Sequence, residues 1–207
     1  MNRDVIELVC KMNLKRMEDQ LALRCAPVIV GLKAANLLIV RNGQLSGLQI
    51  LFRDSSICFY KFADTLEKTY VLLYNRKKLA FSLSDKRVRT FLAGIGYQKF
   101  TLGSIFRVFA GRYQDYCMGK GEFPHELGLM LGYPLEDVEG FIRNHGKNYL
   151  YSGYWKVYYD LPAKKDLFRM YELARETLIE LVSNGVGMAE IIDAYSPNTQ
   201  SDQAFFA

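Results

Sequence analysis

The sequence predicts an α+β fold, a single domain in which one small, mainly antiparallel sheet is covered by helices. Three observations lead there. Two β-rich runs, Ile57–Phe62 and Thr69–Tyr74, are joined by a short polar connector, close enough for an antiparallel pair. A third apolar run, Ala35–Val40, closes on the turn signal Arg41-Asn42-Gly43 and reads as a buried strand. Around these lie stretches with apolar residues at helical spacing, at residues 4–23, 76–114 and 163–183. With 207 residues, 50% apolar and 24% charged, the chain can bury one full core, and a net charge of only +5 excludes disorder as its dominant state.

Taken in order, residues 4–23 place Val5, Leu8, Val9, Met12, Met17 and Leu21 on one helical face, with a cap at Asn2 or Asp4. Pro27 then interrupts the pattern, because the residue before a proline is driven out of helical geometry, so Cys25–Lys33 is expected to be extended or turned. After the Ala35–Val40 strand comes a short helix over residues 45–53, followed by the strand pair. From Arg76 to Gln114 the spacing is helical, with a break at Gly94-Ile95-Gly96. Gly119–Glu122 forms a joint, and Pro124–Leu131 and Pro134–Arg143 make two short helices around Gly132, a helix-turn-helix-like hairpin at about 124–143. The aromatic alternation of Tyr149–Tyr159 predicts another strand, followed by a long helix at Ala163–Ser183 and a short one at Met188–Ala194. The domain is expected to span residues 1–195, with a disordered tail at 196–207.

The N-terminal residues lack a signal-peptide pattern, and no run approaches the roughly 18 to 20 apolar residues of a membrane span, so a cytoplasmic protein with no membrane partner is expected. Cys10, Cys25, Cys58 and Cys117 form no C-x-x-C pair, which argues for reduced thiols and against a zinc ribbon. The charge is unevenly placed. Residues 1–120 carry 20 Lys+Arg and 9 Asp+Glu, a net of +11, while residues 121–207 carry 7 and 13, a net of −6. Opposite halves attract one another, within the fold or across a homodimer, and this is preferred over a polyanionic partner.

The hairpin at 124–143 has the outline of a DNA-binding module, yet its second helix would present Glu136, Asp137, Glu139 and Arg143. Three acids facing a polyanion oppose the phosphate contacts on which such modules rely, so nucleic acid is disfavoured. His125-Glu126 lacks the second His of a zincin, since position 129 is Leu, and no metal site or cofactor is implied. Cys25 with His125 as base is the candidate pair for a thiol-dependent hydrolase or transferase. Against it stands a buried structural Cys and a neutral His at a helix N-terminus. The basic run Arg76-Lys77-Lys78 reads as a solvated helix face. Gly153-Tyr154-Trp155-Lys156-Val157-Tyr158 holds the only Trp, with a Lys among aromatic rings that could stack on a flat ligand.

Three blocks together, Cys25-Ala26-Pro27 with Gly31 and Lys33, Phe123–Gly132 with Tyr133-Pro134-Leu135-Glu136-Asp137-Val138, and Gly153–Tyr158, resemble an uncharacterised bacterial domain of unknown function. That family is found mostly in anaerobic Gram-positive bacteria. The resemblance covers about residues 5 to 195 and implies no activity, catalytic residue, cofactor or partner. The residues themselves suggest a binding or accessory protein with a small-molecule or protein partner. Its pocket would be built from these three blocks: Lys33 and Lys156 for charge, Trp155 and Tyr133 for flat surface, His125 and Glu126 for polar orientation.

Overall fold

A computed structural model describes residues 3–196. Strands β1 (Ala35–Arg41), β2 (Ile57–Asp64) and β3 (Lys68–Asn75) form an antiparallel sheet in the order β1-β3-β2, so the α+β class with a small antiparallel sheet holds. β3 is central and carries Val71, Leu72 and Leu73, all buried, as expected of a strand covered on both faces. Alternation sorts these side chains: Val71 and Leu73 enter one core with Leu38 and Val40, while Leu72 enters a second core with Phe62. The first core is closed by α1 (Arg3–Lys11), α2 (Met17–Ile29), α3 (Leu45–Leu51), α9 (Leu161–Ser183) and α10 (Met188–Tyr195). The second is closed by α4 (Arg76–Ser84), α5 (Lys86–Gly94), α6 (Leu102–Cys117), α7 (Leu127–Met130) and α8 (Leu135–Arg143).

Four departures from the sequence reading have local causes. The helix expected over 4–23 divides at Met12–Arg16, because Asp19 and Gln20 turn back on the intervening loop: Asn13 N–H donates to Asp19 Oδ2 at 2.7 Å and Gln20 Nε2 to the Leu14 carbonyl at 2.7 Å. Pro27 lies inside α2 instead of ending it before Cys25. Its ring costs α2 the bond that an amide at 27 would make to the Leu23 carbonyl, but Cys25–Ile29 are all buried, so packing outweighs the local preference. Asp85 splits the first half of the 76–114 stretch, capping α5 by accepting from the Arg87 and Val88 amides. The strand expected over Tyr149–Tyr159 is a tight hairpin of two-residue strands, β4 (Tyr151–Ser152) and β5 (Lys156–Val157). The cap expected at Asn2, and the tail beyond Ser196, lie outside the described residues.

The β4–β5 hairpin is held against α8 and α9 by contacts that leave no room for a side chain at two glycines. A Cβ on Gly140 would lie 2.5 Å from the Tyr158 ring, and one on Gly153 would lie 2.5 Å from Phe168. Gly111, in the middle of α6, has nothing within 4 Å of its Cβ position. The two kinds of helical glycine should therefore respond with opposite sign. Gly140→Ala is expected to lower unfolding free energy by about 1–3 kcal/mol through overpacking, and Gly111→Ala to raise it by about 0.4–1 kcal/mol. Urea denaturation of both variants checks this, and an unchanged midpoint for Gly140→Ala would show that Tyr158 is free to move aside.

Candidate functional site

The α7–turn–α8 segment and the β4–β5 hairpin enclose a cavity of about 310 Å³. Gly132, at φ +76°, reverses the chain after α7. Gly128 then lets α7 approach α8, since a Cβ there would meet Val138 Cγ2 at 2.8 Å. Leu127, Leu131 and Val138 supply the aliphatic wall. The other wall is aromatic. Tyr133 stacks on Trp155 with centroids 4.8 Å apart, and Phe168 meets the Trp155 ring edge-on at 4.5 Å. Burial pushes the Tyr133 phenol up to about 12, so it stays protonated at neutral pH, and its hydroxyl donates to the Tyr154 carbonyl.

What fixes the indole is Asp137. Its carboxylate, 2% exposed, accepts from Trp155 Nε1 at 2.7 Å and from the amides of Tyr158 and Tyr159 at 2.7 and 3.1 Å. The sequence reading placed Asp137 on the solvent face of its helix; the structure corrects this, because the returning hairpin brings three N–H donors to it. Glu136 is also engaged, in an ion pair with Arg87 at 2.6 Å.

Two polar side chains remain at the cavity. The His125 ring lies between Phe123 and Phe141, at centroid distances of 5.3 and 5.5 Å. Lys156 Nζ donates to the Gly146 carbonyl at 2.8 Å and lies over the rings of Tyr149 and Phe141, 4.9 and 5.7 Å from their centroids. The site is thus an apolar, aromatic slot with one cation and one imidazole, suited to a flat ligand bearing a single anionic or acceptor group.

The remaining expected residues sit elsewhere. Glu126 is 1% exposed and does not line the cavity; its carboxylate accepts from Tyr97 Oη at 3.0 Å and pairs with Arg112, bracing α7 against α6. Lys33 is 3% exposed and reaches the site only through Tyr133, whose ring centroid is 5.3 Å from its Nζ, while donating to Asn36 Oδ1 at 2.6 Å. The three blocks therefore meet in a column, Lys33 to Tyr133 to Trp155, of which only the last two line the cavity. Cys25 belongs to the first core and His125 to the cavity lining. Cys25 is fully buried, and burial pushes its thiol up to about 12 despite the neighbouring Lys33, the reverse of what a thiolate nucleophile requires. Phe123, Asp137 and Phe141 line the cavity without having been singled out for it. For the phenylalanines no motif could have shown it, since Phe123 stands in the irregular segment before α7 and Phe141 is one apolar residue among others in α8.

Burial pushes Lys33 down from 10.5 to about 8. Below about pH 8 it is charged whether the chain is folded or not, and the folded state bears the full cost of burying that charge. Between about 8 and 10.5 the unfolded chain holds a proton the folded one has released, so this group makes stability rise with pH. Cys25 acts in the opposite sense between 9.0 and about 12, where the unfolded thiol ionises first. Lys33→Met is expected to be more stable than the parent at neutral pH by about 1–2 kcal/mol, after allowing for the lost bond to Asn36. That advantage should shrink as pH rises from about 8 to 10.5 in urea titrations; a constant advantage would mean Lys33 titrates normally. A maleimide at neutral pH should label exposed Cys10 and Cys117 promptly and leave Cys25 unlabelled until unfolding, and peptide mapping would reveal any early modification of Cys25.

No curated protein and no solved structure matches the chain. Among the described residues there is no cluster of three or more His, Cys, Asp or Glu able to hold a metal ion, and no helix is long and apolar enough to cross a membrane. A family model described as "Protein of unknown function (DUF3793)" matches residues 21–192, from the middle of α2 to α10, and includes every element that builds the cavity. A match over most of the chain places this protein in that family of unknown function.

Proposed function

We propose that this chain is a cytoplasmic small-molecule-binding protein whose ligand is flat, largely apolar and carries one acidic group. The observation that carries the reading is the Tyr133–Trp155 wall, pinned by the buried Asp137 and facing an aliphatic wall across about 310 Å³, with Lys156 beside it. A surface that merely packed would have closed this gap; instead the indole is held by a hydrogen bond that leaves it lining the cavity. The ligand's acidic group would lie by Lys156, whose ammonium has one carbonyl partner and donor capacity left for a second. His125 would offer a further polar contact between two phenylalanine rings. The four cysteines are unpaired, which fits a reducing compartment. Catalysis by Cys25 has no support at a fully buried, protonated thiol.

Trp155 is the only tryptophan and lines the cavity, so its fluorescence reports occupancy directly. Anilinonaphthalene sulfonate, an anionic aromatic probe, should quench Trp155 saturably by energy transfer. Lys156→Met should weaken the probe about five- to tenfold while leaving neutral N-phenyl-1-naphthylamine unchanged, and Leu127→Phe should abolish both signals by filling the cavity. Quenching that survives in Leu127→Phe would place the probe elsewhere and overturn the reading.

A further inference from the structure

The β4–β5 hairpin also borders a second cleft, of about 560 Å³, whose other side is α9. Its chemistry differs from that of the first cavity. Lys165, Arg169 and Arg175 contribute three cations and Glu172 one carboxylate, so positive charge is in surplus by two. Lys165 and Arg169 lie one helical turn apart, on the same face of α9, and both are exposed. Among the described residues neither has an ion-pair partner, whereas Arg175 is held by Glu172 Oε1 at 2.5 Å. The carboxylate is spent within the cleft, since Glu172 Oε2 accepts from Tyr154 Oη at 3.2 Å. That bond also fixes the Tyr154 ring. Tyr151, 42% exposed, stands at the hairpin end of the cleft with Lys165 Nζ 5.6 Å from its centroid.

We propose that this cleft binds an aromatic phosphate monoester of mononucleotide size, its phosphate held by Lys165 and Arg169 and its ring stacked on Tyr151. Two cations without carboxylate partners match a dianion, and a guanidinium can bind two phosphate oxygens at once. A phenol ring beside them supplies the stacking surface, which accepts any base. Size argues for a monoester over a polymer: the volume of about 560 Å³ is that of a single small-ligand pocket.

Isothermal titration with AMP, adenosine and ribose 5-phosphate tests the proposal on the full chain. AMP should bind saturably at one site, and adenosine and ribose 5-phosphate each about tenfold or more weaker, because each lacks one of the two contacts. Lys165→Ala with Arg169→Ala should weaken AMP by about tenfold or more while energy transfer from Trp155 to the naphthalene probe is unchanged, which shows the variant folded and separates this cleft from the first cavity. Tyr151→Leu should weaken AMP but not ribose 5-phosphate. Absence of saturable AMP binding at up to about 5 mM, several times the Kd of a millimolar complex, or AMP binding indifferent to the double substitution, would overturn the proposal.

Discussion

The Asp137 carboxylate accepts three N–H donors from residues 18 to 22 positions later in the chain, and it is almost wholly removed from water. A buried carboxylate with one donor would be costly; with three, two of them backbone amides, it is satisfied and its donors are satisfied with it. The consequence is positional. The Tyr158 and Tyr159 amides are taken by a side chain instead of a neighbouring strand, so β5 ends after Val157 and the chain turns away toward α9. The same carboxylate holds the indole at the angle that lets Tyr133 stack on it and Phe168 meet its edge. Without this group the hairpin would keep its ring packing on Phe168 but only two-residue strands to fix its path, too little to set the angle of a cavity wall.

Charge asymmetry along the sequence acquires a structural meaning at two ion pairs. Arg87 with Glu136, and Arg112 with Glu126, each join the basic first 120 residues to the acidic remainder. Their energetic weights differ. Arg87 is exposed and its pair with Glu136 is screened by water, so it chiefly orients α8 beside α5. Glu126 is buried, and Arg112 and Tyr97 are what make its burial tolerable; losing either would leave a carboxylate with unmet demand in the core under α7. Attraction within the fold thus accounts for part of the opposition between the halves.

The sheet was legible in the sequence because strands covered on both faces write themselves as apolar runs, and Ala35–Val40 and Thr69–Tyr74 do so without ambiguity. The long helix expected at Ala163–Ser183 was equally plain. Pro27 misled because a local rule was applied where long-range packing decides: five consecutive buried residues outweigh one absent amide. The cavity was half legible. Tyr133, Trp155, Lys156 and His125 stand out by chemistry, and the structure places all four in its lining. Glu126 and Lys33 stand out equally and are buried outside it, because a charged residue in an apolar context marks either a site or a satisfied core group, and only the partners tell which. Asp137 was hidden for the complementary reason. Its helical position looks exposed until the hairpin returns, and nothing in residues 134–143 announces donors that arrive from 155–159.

The two clefts share one support and differ in what a ligand would meet. Trp155 lines the first, Tyr151 and Tyr154 line the second, and Phe168 touches all three rings at 4.5 to 6.2 Å. Packed aromatic groups of this kind shift together, because an interior at close packing leaves no slack between them. Removal of the Asp137 carboxylate would therefore disturb both clefts at once, by freeing the indole and with it the hairpin. A change at Lys165 or Arg169 alters charge at the rim of one cleft and leaves the ring column untouched. A defect shared by the two clefts thus reports on the hairpin's anchorage, and a defect confined to one reports on its own lining.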